Sequence, residues 1–104
     1  MATSTFRSRT DADNLIVEAN GRAGISILSA DNQGGKLIFG SASDNAGAAI
    51  SWYHDSDELY VGTVHASAEL SLRTGNNVEA VRIDSSGNVG VGTATFGSSA
   101  AKVL

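Results

Sequence analysis

The side chains best suited to touching a ligand are concentrated in one run, Trp52-Tyr53-His54-Asp55-Ser56-Asp57-Glu58-Leu59-Tyr60. If Ile50, Trp52, Leu59 and Val61 point inward on two alternating strands, Tyr53 and Tyr60 point outward, and a four-residue loop over 55–58 sets them opposite each other. Two exposed tyrosine rings beside carboxylates suit a sugar: the rings cover the apolar face of a pyranose while the acids accept hydrogen bonds from its hydroxyls. Tyr53, Asp55, Asp57 and Tyr60 are therefore the candidate glycan-contacting residues. Cross-strand packing of the two rings, or contact with a neighbouring chain, accounts for the same pattern without a ligand.

Other chemistries fit less well. Asp55, Asp57 and Glu58 are hard oxygen donors, but the run has neither the glycine nor the ligand ladder of a helix–loop–helix calcium site, so it reads as a solvated acidic turn. Glycoside hydrolysis needs two acids facing each other across a cleft, one with a raised pKa; Asp55/Asp57 and Asp11/Asp13 are turn or arm residues with no apolar pocket around them. Neither His54 nor His65 stands near a Gly-x-Ser-x-Gly string. Gly34-Gly35 is followed by Lys36 at a strand start, not by a phosphate-binding loop and helix. With no Cys, the chain has no disulfide and no thiolate metal site. The expectation is a protein without catalytic residues, metal or cofactor. A formal net charge of -4 argues against a grip on nucleic-acid phosphates. No stretch resembles a signal peptide or reaches the length of a membrane span, so a soluble product made in the cytoplasm, without membrane insertion, is expected.

One rule positions these residues: two apolar residues separated by one, then a turn. The pairs are Leu15/Val17, Ile25/Ile27, Leu37/Phe39, Ile50/Trp52, Leu59/Val61, Leu70/Leu72, Val81/Ile83 and Val89/Val91. Asn-Gly, Asp-Asn-Gln-Gly-Gly and similar runs lie between them and favour turns. The spacing predicts an all-β domain over 13–93 with about eight short antiparallel strands, preceded by a polar arm over 1–12 and followed by a tail over 94–104. The arm is expected to be a mobile start, with docking of Phe6 and the pair Arg7/Arg9 on a neighbour as the alternative.

The hydrophobic share is 41%, but much of it is Ala. Two inward side chains per strand make a thin layer for a small chain of 104 residues to close around alone. Two architectures follow: a small monomeric β-sandwich, or inward faces of several chains meeting along an axis. Gly90 and Gly92 favour the second, because the face opposite Val89 and Val91 would be bare and another backbone could approach it. Val91 is expected to be buried, and Gly90 or Gly92 to lie against another segment or chain.

Residues 81–93, with Arg82-Ile83-Asp84 before a Ser-Ser-Gly-Asn turn and Val89-Gly90-Val91-Gly92-Thr93 after it, resemble the R-I-D-x-x-G-N-V-G-I-G-T segment of bacteriophage tail-fibre and tailspike proteins. That segment often precedes an intramolecular chaperone domain of a peptidase type. There a proline usually follows the Gly-Thr; here Ala94-Thr95-Phe96-Gly97 stands instead. The resemblance implies a homotrimeric β-rich segment, intertwined or side by side in a β-prism or β-helix-like arrangement, residing in the virion, with Val89, Gly90, Val91 and Gly92 in chain–chain packing. The partners expected are further copies of the chain, other virion proteins and a host-surface glycan. A free-standing carbohydrate-binding β-sandwich and a capsid decoration protein anchored by the arm are the alternative readings.

Overall fold

The computed structural model describes residues 11–92. Within them are six strands: β1 (Gly34–Phe39), β2 (Ala48–Tyr53), β3 (Glu58–Thr63), β4 (Leu70–Thr74), β5 (Val78–Ile83) and β6 (Val89–Val91). They form two three-stranded antiparallel sheets, ordered β1-β2-β3 and β4-β5-β6. Each is a meander in which consecutive strands pair, as short polar turns between alternating runs dictate.

The all-β class agrees with the alternation, but the strand count is lower than eight among the described residues. Leu15/Val17 and Ile25/Ile27 lie outside any strand, with Leu15 75% exposed. Alternation specifies an amphipathic extended strip, whereas a strand also needs a ladder partner, and neither segment has one there. Regular structure thus begins at Gly34 and not near 13. The segment before it still approaches β1: a Cβ on Gly35 would lie 3.3 Å from the Ile27 carbonyl oxygen. Of the expected arm only residues 11 and 12 are described; Phe6, Arg7, Arg9, Thr93 and the tail lie outside the described residues.

The registers sort each sheet into two unlike faces. In the first sheet, Gly35, Trp52 and Leu59 form one row, Leu37, Ile50 and Val61 the next, and Phe39, Ala48 and Thr63 the third. Six large apolar side chains therefore share one face, as the apolar pairs require. In the second sheet Leu70, Ile83 and Val89 align, as do Leu72, Val81 and Val91. No apolar residue among those described is buried, so the two sheets do not enclose the core that a monomeric sandwich needs.

Val91, expected to be buried, is 63% exposed in the single chain. Among the described residues no buried apolar layer packs on the apolar face of its sheet. Gly90 is buried, in the row it shares with Ser71 and Arg82. Gly92 has φ +75° with no atom within 4 Å of a would-be Cβ, so the backbone conformation is what requires glycine there, not a close approach within the chain.

The turn between β5 and β6 forms as Asp-Ser-Ser-Gly-Asn suggests. Asp84 Oδ1 accepts from the backbone N–H groups of Ser86 and Asn88, both at 2.9 Å, and Asp84 Oδ2 accepts from Asn88 Nδ2 at 3.1 Å. These bonds to the ionised form hold the Asp84 carboxyl below its ordinary pKa, with the Asn88 side chain the largest cause. Gly87 supplies the left-handed residue, at φ +87°.

Candidate functional site

Each sheet carries a polar face opposite its apolar one, and the two are built differently. On the first sheet the polar face consists of the rows Gly34, Tyr53, Glu58 and Lys36, Ser51, Tyr60, followed by Ile38, Ala49, Gly62. The hairpin between β2 and β3 closes through a single 3-10 turn, His54–Ser56, and a left-handed Asp57 at φ 52°. That closure pairs Tyr53 with Glu58 and Ser51 with Tyr60, so the tyrosines are diagonal neighbours and not directly opposite. Their ring centroids are 5.1 Å apart with planes inclined at 48°, within the range for paired aromatic rings.

Gly34 makes room for this arrangement. Any Cβ there would fall 2.6 Å from Tyr53 Cε1, so the ring lies over the glycine. Lys36 Nζ stands 5.6 Å from the centroid of the Tyr53 ring, inside the cation–π range. Beside the rings opens a cavity of about 270 Å³ lined by Tyr53, Tyr60, Lys36, Ser51, Ala49 and Gly62 among others. Ser51, at 5% exposure, is the buried polar residue among those described. The neighbouring Glu58 carboxylate raises the Tyr60 pKa, first by favouring the neutral phenol as a hydrogen-bond donor and then by its negative charge.

Of the residues expected to contact sugar, Tyr53 and Tyr60 come together. Asp55 and Asp57 do not join them: both sit in the turn at the sheet end and neither lines the cavity. The loop is 54–57 and not 55–58, because Glu58 is already the first residue of β3. The 3-10 turn consumes His54 and leaves both aspartates in the turn, off the strand face that carries the rings. Lys36 and Ser51 line the cavity instead, and Glu58 pairs with Tyr53 on the same face. Ser51 follows once the hairpin is registered on a left-handed Asp57. Lys36 follows only from the register of β1 against β2, across an eight-residue excursion between Phe39 and Ala48.

On the second sheet the polar face is an ion network. Arg82 Nε donates to Glu79 Oε2 at 3.1 Å and Arg82 also bonds Glu69. Ser71 Oγ donates to Glu79 Oε1 at 2.8 Å and accepts from Arg73 Nε at 3.0 Å. Strict alternation would put Glu79 on the apolar face with Val81 and Ile83. A β-bulge prevents this: the register shifts between Leu72 and Arg73, pairing Leu72 with Val81 but Arg73 with Glu79, so Ala80 is skipped. The extra residue turns Glu79 toward Arg82. Hydrogen bonds from Arg82 and Ser71 lower the Glu79 pKa, and Glu79 in turn raises that of Arg82.

His65 Nδ1 and Ser67 Oγ lie 3.2 Å apart in the exposed connection between the sheets. No acid is seen to orient the imidazole, and the Ser67 backbone N–H also points to Nδ1, at 3.4 Å, as in a local turn bond. Among the described residues no group of three His, Asp or Glu is placed to hold a metal ion, and no helix is long and apolar enough to cross a membrane. Compared with protein-family models, with curated proteins and with solved structures, the chain matches none.

Proposed function

We propose that the chain is a non-enzymatic structural module of a phage fibre, spike or other virion appendage, which assembles as a homotrimer and contributes to attachment at the host surface. The observation that carries the assembly is the pair of bare apolar faces: six large side chains on the first sheet and six on the second, with no buried apolar residue among those described. Covering the exposed half of the six on one sheet is worth on the order of 5 kcal/mol per chain. The likeness of residues 81–93 to the fibre segment supplies the trimer and the virion context. In this reading the chains stand intertwined or side by side about an axis, in a prism or helix-like arrangement. Val89 and Val91 pack between chains, with Gly90 and Gly92 beside them.

Light scattering on the purified full chain across a dilution series, with circular dichroism on the same samples, tests the shared core. The expected outcome is a trimer mass, with β signal lost as dilution separates the chains. A folded monomer at low concentration overturns the reading.

A further inference from the structure

We infer that the tyrosine cavity on the first sheet binds a carboxylated sugar ring, with Lys36 meeting its carboxylate and Tyr53 and Tyr60 covering its apolar face. The inference deepens the attachment half of the proposed function and rests on it for the source of the ligand.

Size comes first. About 270 Å³ lies just under the range of pockets for drug-sized ligands, which fits one pyranose ring and not an oligosaccharide. The floor is made of small residues: Ala49 pairs with Gly62, and Ser51 is next along the same strand face. Small floor residues let a ring lie close to the sheet, with the Ser51 hydroxyl able to donate to or accept from a sugar hydroxyl. Tyr53 and Tyr60 stand beside it as a tilted aromatic pair, the geometry that covers an apolar C–H face. The Tyr60 phenol, which also lines the cavity, can accept as well as donate a hydrogen bond.

Charge then selects among sugars. Lys36 lines the cavity and rests against Tyr53. The ion pairs of the described residues join arginines to Glu69 and Glu79 and do not involve Lys36. An ammonium held on an aromatic face with no carboxylate partner is poised for an anion, and the bond formed is charge-assisted. Glu58, on the same face, does not line the cavity, whereas Lys36 does. A carboxylate on the sugar completes the set.

Titration of the full chain with glucuronate, galacturonate and glucose, followed by the ring-proton NMR signals of Tyr53 and Tyr60, tests this. At least one uronate is expected to saturate with a Kd on the order of 1 mM, as suits a ligand of this size, and glucose to bind about tenfold more weakly. Lys36→Gln should remove the preference for the uronate, and Tyr60→Ala should remove binding altogether, with circular dichroism verifying the fold of each. Failure of both uronates to saturate, equal affinity for glucose, or an unchanged preference in Lys36→Gln overturns the inference. Oligomer mass, measured on the same samples, reports on the assembly independently: a trimer that binds no uronate refutes the site alone, whereas a monomer that binds one refutes the shared core alone.

Discussion

The two sheets have the same plan, three antiparallel strands with one apolar and one polar face, yet their polar faces are put to opposite uses. On β4-β5-β6 the charged groups satisfy one another: Arg82 is held by Glu79 and Glu69, and Ser71 bridges Glu79 to Arg73. On β1-β2-β3 the polar groups are fewer, the aromatic rings stand beside open space, and Lys36 has no carboxylate partner among the described residues. A polar surface whose donors and acceptors are mutually engaged specifies strand register and repels alternatives; one with an unengaged cation beside apolar rings is available to something else. The apolar faces are alike in holding no buried side chain, but the first is the barer: all six of its large side chains are exposed, against Leu72 and Val91 on the second.

The strongest way to break the comparison is to put a charge at the centre of each apolar face. Ile50→Asp and Val81→Asp should each abolish assembly, at a cost of several kcal/mol per chain, because an unpaired carboxylate would be carried into the covered layer. Sedimentation and circular dichroism on the two variants check this, and loss of assembly in only one would show that a single sheet supplies the interface. A smaller effect separates the polar faces. Glu79 and Asp84 have lowered pKa values, so their stabilisation is fully present above the ordinary carboxylate range and is lost as pH falls through the lowered values. The Tm should therefore fall as pH drops from 7 toward 3, and Glu79→Gln should lower the Tm at neutral pH while making that decline shallower. An unchanged Tm profile in Glu79→Gln would strip the ion network of its structural role. The smallest effect is on the first sheet: the Tyr60 pKa is raised, chiefly by its hydrogen bond to Glu58, so any stabilisation it gives is present at neutral pH and is lost only as pH rises through the raised value. Tyrosinate absorbance should show one tyrosine ionising above the usual range, and Glu58→Gln should bring it back with assembly unaffected.

Much of this division is readable in the chain. Leu37/Phe39, Ile50/Trp52 and Leu59/Val61 fall on one face and Tyr53 and Tyr60 on the other because a two-residue period leaves no choice once the hairpins form. The turn at Asp84 is legible for a local reason: aspartate and glycine at those offsets close an Asx turn whatever surrounds them. What escapes is whatever depends on register between distant segments or on breaks in the period. Ala80 looks like any small strand residue, yet as the bulged position it decides on which face Glu79 appears. Lys36 reaches the tyrosines only through pairing of β1 with β2. Leu15/Val17 and Ile25/Ile27 obey the alternation as well as the true strands do, and fail for want of a neighbour, which no count of apolar residues reveals.

The meander order has a consequence for how the chain can be divided. Among the described residues every ladder joins consecutive strands, and none crosses the connection between β3 and β4. A backbone break between His65 and Ser67 would sever no ladder bond. The Val64 and His65 amides would remain on Gly47 with the first sheet, and only the local bonds from Ser67 and Ala68 back to His65 would go. The two sheets are thus separate units of hydrogen-bonded ladder, and a cut in the connection between them leaves the register of each untouched.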